Sequence, residues 1–296
     1  MKKMKSVTMG MVAATILTMA VCSCSSNDDV PQTTAELTID AVKGEYSEAV
    51  VQTRTLTESG SNINFSWTAS DKAFVYTNDW GTKLGELTPM DGKTGEAKTK
   101  LDGTVSSQGV SVGDQLMLIT PRETWDYTGQ VGTLTSISSS YDYSTASAQV
   151  LYIDAEHNNK IYATDAHFTS EQAIVKFVLK DKNDADLSVP SLTIIAGNNK
   201  LVQKCKLDGT ATEYGPIVVT PASNSNTFYV ALRNDNAGAD TYTLSVSTAS
   251  DVYTYTKSDV TFAKGKFKTI TVKMKNLNDT STDRTGYDNE GNETWE

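Results

Sequence analysis

Leu37-Thr38-Ile39-Asp40-Ala41-Val42 alternates with a period of two. Successive side chains of a strand point to opposite faces. This stretch therefore predicts a β-strand with Leu37, Ile39 and Ala41 on one face and Thr38, Asp40 and Val42 on the other. The pattern spreads outward from there. Ile63, Phe65 and Trp67 alternate with Asn64 and Ser66. Ala73-Phe74-Val75-Tyr76 and Leu116-Met117-Leu118-Ile119 are continuous apolar runs, as core strands have. Val150-Leu151-Tyr152-Ile153 follows a polar, Ser-rich stretch at 136–147. Further strands are predicted over 173–179, 192–196, 201–207, 227–232, 242–246, 252–256 and 267–274. Turn clusters separate them: Asp91-Gly92, Asp102-Gly103, Gly197-Asn198-Asn199, Asp208-Gly209 and Asn234-Asp235-Asn236. Beyond the N-terminal segment no stretch carries a 3.6-residue apolar period. Many short strands at this spacing predict an all-β sandwich architecture.

The first residues have a different character. Lys2, Lys3 and Lys5 precede an uncharged apolar stretch from 7 to 21, shorter than the roughly 18 or more residues a spanning helix needs. It reads as the removable core of a signal peptide. Val21-Cys22-Ser23-Cys24-Ser25 resembles a lipobox, whose cysteine receives the lipid. Ser23 makes Cys24 the better candidate, and Cys22 after Val21 is the alternative. Asn27-Asp28-Asp29 beyond it is similar to a surface-export signal of Bacteroidetes lipoproteins. The expected location is the outer membrane, lipid-anchored and facing the cell surface. The expected organisation is a signal peptide at 1–23, a linker at 24–34, domains at 35–168 and 169–275, and an acidic polar tail at 276–296.

Charge narrows the partners. The formal net charge is −10, and removing residues 1–23 takes three lysines and no acids, giving −13. A surface this acidic repels nucleic acid and anionic headgroups, so no nucleic-acid partner is expected. Of three cysteines, Cys22 and Cys24 lie at the lipobox and Cys205 stands alone in a predicted strand, so no disulfide framework is expected. A nucleophilic Cys205 would need a histidine, and the chain has only His157 and His167. No phosphate-binding glycine loop or catalytic triad spacing is present. Neither enzyme activity nor a cofactor nor a metal is expected. Asp279, Ser281, Asp283 and Glu290 fall at calcium-loop spacing, but Arg284 stands where that loop needs glycine, so the segment reads as an acidic tail.

Several segments resemble one family. Phe65-Ser66-Trp67-Thr68-Ala69-Ser70-Asp71-Lys72-Ala73-Phe74-Val75 is similar to the F-x-W-x-x-G-D-x-I-x-V segment of fimbrillins, subunits of Bacteroidetes type V pili and related surface lipoproteins. Thr53-Arg54-Thr55 resembles their T-R-A element, and 112–121 resembles a strand of theirs that ends in Tyr-Pro. Ala173-Ile174-Val175-Lys176-Phe177 resembles the strand that opens their second domain. Tyr229-Val230-Ala231-Leu232 and Gly265-Lys266-Phe267-Lys268-Thr269-Ile270-Thr271-Val272 resemble their closing elements. Ser70 stands in place of the family glycine, and Thr120 in place of the aromatic residue before Pro121.

The resemblance implies two stacked transthyretin-like β-sandwich domains. It also implies assembly by strand exchange: a protease cuts after Arg54, before Thr55. The strand carrying Leu37, Ile39 and Ala41 is displaced, and a strand of another fimbrillin subunit fills the groove. The implied role is a structural or adhesive fimbrillin-like surface lipoprotein, a tip or accessory subunit of a pilus, meeting a host or bacterial surface ligand. A polar C-terminal tail, apolar only at Leu277, Tyr287 and Trp295, makes a poor donor strand. The alternative is a glycan-binding surface lipoprotein of a polysaccharide-uptake system, with Trp80, Trp125 and Tyr127 of predicted loops stacking on sugar rings.

Overall fold

The Leu37–Val42 alternation runs further than the sequence suggests. In the computed structural model, which describes residues 34–43, 56–60, 62–157, 159–236 and 238–278, strand β1 spans Thr34–Lys43 and buries Ala35, Leu37, Ile39, Ala41 and Lys43. A short hairpin follows, β2 (Thr57–Ser59) with β3 (Asn62–Asn64). Next come β4 (Ala73–Thr77), β5 (Lys83–Pro89), β6 (Lys98–Ser106) and β7 (Gln115–Thr120), all antiparallel to their neighbours in the order β7-β4-β5-β6. After β8 (Trp125–Asp126) and helix α1 (Leu134–Ser140), β9 (Ser144–Asp154) pairs with β7 and with β10 (Lys160–Ala163) and β11 (Ala166–Ser170). β1 then joins β10 and β11 on one edge to β6 on the other, so hydrogen bonding runs round a closed circuit. A closed circuit leaves no unpaired strand edge.

Trp67 anchors this region. It is fully buried, its ring meets Phe65 edge-on at 5.3 Å and Phe168 at 5.5 Å, and its indole N–H donates to the Ala97 carbonyl at 3.2 Å. An aromatic ring is buried here with its one polar atom satisfied.

The remaining strands form open sheets. β12 (Ala173–Lys180) lies between β17 (Thr227–Leu232) and β20 (Phe267–Lys273), antiparallel to the first and parallel to the second. A five-stranded sheet runs in the order β16-β13-β18-β19-β21. Its members are β13 (Leu192–Ala196), β16 (Ile217–Val219), β18 (Asp240–Ser247), β19 (Val252–Val260) and β21 (Lys275–Asn276). β14 (Val202–Cys205) pairs with β15 (Ala211–Tyr214) and, on its other side, with β8. The early segment β8–α1 is thus laced into the later sheets. Gln130 donates from Nε2 to the Ala231 carbonyl at 2.8 Å and accepts the Ala231 N–H at 2.8 Å.

Among the described residues the architecture is all-β apart from α1, and the structure departs from the sequence reading in particular places. The Ser-rich stretch contains α1, capped by Thr133, whose hydroxyl accepts the Ser136 N–H at 3.2 Å. Serine is a poor helix former, and over seven residues one buried apolar position, Ile137, shows no period. Asp102-Gly103 is no turn but lies inside β6. A Cβ on Gly103 would sit 2.4 Å from the Glu86 carbonyl, so glycine serves a close approach of two strands. The Ile63–Trp67 alternation is strand only up to Asn64, and Asn64 and Ser66 are buried along with their apolar neighbours. Ser70 has no positive φ, so its turn needs no glycine; the Asp71 carboxylate accepts the Thr68 N–H at 2.9 Å and closes it.

Candidate functional site

β1 and the groove that holds it are the candidate site. β1 pairs with β6 at nine successive positions, Thr34 opposite Ser106 through Val42 opposite Lys98. Its other edge runs parallel to β10 at Leu37 and Thr38 and to β11 from Ala41 to Lys43. Leu37, Ile39 and Ala41, the residues singled out in the sequence, are each at most 1 % exposed. Burying side chains such as Leu37 and Ile39 contributes roughly 1.5–3 kcal/mol each. The solvent side carries weaker links: Thr38 Oγ1 donates to Asp102 at 2.6 Å, and Lys100 Nζ lies 3.3 Å from Asp40.

At the end of the strand the groove changes chemistry. Lys43 is only 2 % exposed, and its Nζ donates to Asp142 Oδ2 at 2.6 Å. The same ammonium lies 4.1 Å from the centre of the Phe65 ring. Asp142 is 1 % exposed and stands just past α1, where its N–H donates to the Ile137 carbonyl at 2.9 Å. Its second carboxylate oxygen accepts from Gln172 Nε2 at 3.1 Å, and Gln172 Oε1 accepts from the Tyr127 hydroxyl at 3.2 Å. Burial holds the Tyr127 phenol well above its ordinary pKa, so it stays a donor. A buried charge is tolerated only when paired and hydrogen-bonded, and both conditions are met here. Sequence reading stopped the strand at Val42 and missed Lys43. Parity was the available signal, since position 43 falls on the same face as 35, 37, 39 and 41.

Cys22, Cys24, Arg54 and Thr55 lie outside the described residues, as does the tail from 279 onward with Asp279, Ser281, Asp283, Arg284 and Glu290. The residues on either side of 44–55 are firmly held. Leu56 is buried, and Glu58 of β2 accepts from Lys176 Nζ at 2.8 and 2.9 Å and from the Tyr229 hydroxyl. Burial pushes the Glu58 carboxyl up, but these hydrogen bonds and the Lys176 charge outweigh it and hold its pKa below the usual value.

The aromatic residues read as loop binders are mostly interior. Trp125 is 1 % exposed and Tyr127 fully buried. Trp125 stacks on Tyr143 at 5.3 Å, and burial pushes the Tyr143 phenol up to about 12. Trp80, half-buried, leans on Tyr76 at 5.7 Å. Neither Trp125 nor Tyr127 offers a face to a sugar. Cys205 is half-buried at the end of β14, and burial raises its thiol to about 11, which keeps it protonated and unreactive. His157 sits in a polar turn with Nδ1 2.9 Å from Asp154. Among the described residues no group of three or more His, Cys, Asp or Glu side chains could hold a metal ion.

A scan against protein-family models and a search of curated proteins each found no match. Among solved structures, the chain is similar to a candidate cell adhesion protein from Bacteroides ovatus at 13 % identity and TM-score 0.43, over 81 % of this chain and 94 % of that one. A candidate cell adhesion protein from Bacteroides uniformis matches at 16 % identity and TM-score 0.43, over 81 % and 95 %. A fimbrial assembly protein from Parabacteroides distasonis matches at 17 % identity and TM-score 0.38, over 80 % and 91 %. These three structural neighbours are a fimbrial assembly protein and two candidate cell adhesion proteins of Bacteroides and Parabacteroides.

Proposed function

We propose that this chain is a structural or adhesive fimbrillin-like surface lipoprotein, an accessory or tip subunit of a pilus, which accepts a strand from another subunit. In this reading Cys24 carries the lipid, two transthyretin-like sandwiches stack along the chain, and a protease cuts after Arg54. β1 then leaves and an incoming strand takes its place. The observation that carries the reading is the position of β1. It closes a hydrogen-bonded circuit and is followed by the segment holding Thr53-Arg54-Thr55. Cutting that segment makes β1 a separate peptide, and its pairings with β6, β10 and β11 lie outside the cut. Departure of β1 would expose the whole length of β6 as an unpaired edge, a template for another strand.

The test is limited proteolysis. Mild trypsin should cut first after Arg54, and N-terminal sequencing should find a fragment that starts at Thr55. A first cut elsewhere, with Arg54 resistant, would speak against strand exchange in this chain.

A further inference from the structure

β9 breaks its own alternation at one place. Ser144, Ala146, Ala148 and Val150 are buried, and by that parity Tyr152 should be buried next. It is not. Val150 pairs with Ala163 and Tyr152 with Tyr162, which leaves Leu151 as an extra residue. This β-bulge turns Tyr152 to solvent, and bulges often re-aim a side chain beside a functional site. Tyr152 is 56 % exposed and Tyr162, directly opposite, 43 %, with ring centroids 5.9 Å apart. Of the Phe, Trp and Tyr side chains described, only Tyr214 is otherwise exposed.

The same outer face continues onto β1 and β6. Tyr162 lies beside Thr38, and Thr38 Oγ1 donates to Asp102 at 2.6 Å. With its proton given to Asp102, the Thr38 hydroxyl still has a lone pair to accept with, and the carboxylate has further acceptor sites. Lys160 Nζ, 5.6 Å from the centre of the Tyr162 ring, adds a donor. We propose that this face of β9, β10, β1 and β6 binds a neutral oligosaccharide, with Tyr152 and Tyr162 as its platform.

The chemistry of a sugar fits both halves of the site. A pyranose ring has an apolar face of C–H bonds and a girdle of hydroxyls. The electron-rich face of a tyrosine attracts the first. Thr38, Asp102 and Lys160 meet the second, the carboxylate taking hydroxyl protons in charge-assisted bonds. Thr38 stands one strand spacing, about 5 Å, from Tyr162, within reach of a sugar laid on that ring. Charge selects the kind of sugar. Asp102, with Asp154 and Glu156 at the β9–β10 turn, borders the platform in a chain of net charge −10. Such a rim repels sialylated and sulfated glycans and admits neutral ones. It also disfavours a second copy of this chain, which would bring one acidic rim against another.

A cross-strand tyrosine pair also steadies a hairpin, so the experiment separates binding from stability. The full chain is passed over a chip of immobilised neutral hexose and N-acetylhexosamine oligosaccharides, with sialylated and sulfated ones beside them. The wild type should retain neutral oligosaccharides and pass over the anionic ones. Tyr152→Thr and Tyr162→Thr should each weaken retention by about tenfold or more, as loss of an anchor does. Tyr214→Thr, which removes the exposed tyrosine elsewhere, should leave retention unchanged, and thermal midpoints show that each variant is folded. No retention by the wild type, a preference for anionic glycans, or equal retention by the Tyr152→Thr, Tyr162→Thr double variant would overturn the proposal. Self-association that the double variant abolishes, with no glycan retained, would overturn it in favour of a contact between copies. None of these failures touches the strand-exchange reading, which the cut after Arg54 tests separately.

Discussion

Strands β1 and β20 meet the same problem in opposite ways. β1 and β20 are both amphipathic, and both run parallel to a neighbour. β20 ends its three-stranded sheet and points Thr269, Thr271 and Lys273 outward, with Lys273 paired to Asp184 at 2.9 Å in a surface ion pair. The neighbouring five-stranded sheet ends in β16 and β21, of three and two residues. Short edges and outward lysines are how an open sheet avoids pairing with strangers. β1 has no such devices. It is paired on both sides and turns its lysine inward. The later sheets protect their edges with local chemistry, whereas the early circuit abolishes its edge by inserting β1. Protection of the second kind disappears when one strand is removed.

The contrast can be broken by the same substitution on the two strands. Lys43→Met should destabilise the chain by about 3–5 kcal/mol, because it removes one member of a buried ion pair. Lys273→Met, whose partner is in solvent, should change stability by about 1 kcal/mol or less. Urea midpoints at neutral pH compare them directly. Equal effects would mean that Asp142 reaches water in the folded chain, and the distinction between the strands would fail.

A smaller effect sharpens the link between the two regions. Glu58 on β2 binds Lys176 of β12 and Tyr229 of β17, and its pKa lies below the reference value of 4.5. The stability this contributes is fully present above pH 4.5 and is lost as pH falls through the lowered folded value. Glu58→Gln should therefore lower stability at pH 7 and flatten its decline below pH 4.5, measured as thermal midpoint against pH. An unchanged acid limb would show that the hairpin does not couple the regions through this carboxyl.

The smallest effect concerns the tail. Asn276 and Asn278 hydrogen-bond to Asp251, and the Leu277 N–H donates to the Val252 carbonyl at 2.8 Å, so the described chain is tied down to its last residues. Deleting 279–296 should leave the thermal midpoint and any incorporation into fibres unchanged. Loss of fibres in cells carrying only the deletion would mark the tail as a donor strand after all.

Alternation and turn residues were enough to reveal an all-β chain and most of its long strands, because a half-buried strand writes its two faces into its own residues. β1 and β18 were legible in this way, β4 and β7 as continuous apolar runs, and β12, β13, β17 and β20 as strand segments between turn clusters. β6 was not. It is KTKLDGTVS, mostly polar and broken by Asp102-Gly103, and it is a strand because β1 and β5 lie on either side of it. α1 was hidden for the same reason, its serines being helical only under the Thr133 cap and over buried Ile137. Trp125 and Tyr127 looked like loop aromatics until β14 and Tyr143 enclosed them. The lysine at position 43 could be counted onto the inner face from the sequence alone. What the sequence could not contain was its partner, 99 residues away. Periodicity is a property of neighbours in the chain, so the sequence by itself determined which residues of β1 face inward. The meaning of a charge on that face depends on what the fold places opposite it, and that was decided only when α1 carried Asp142 beneath the end of β1.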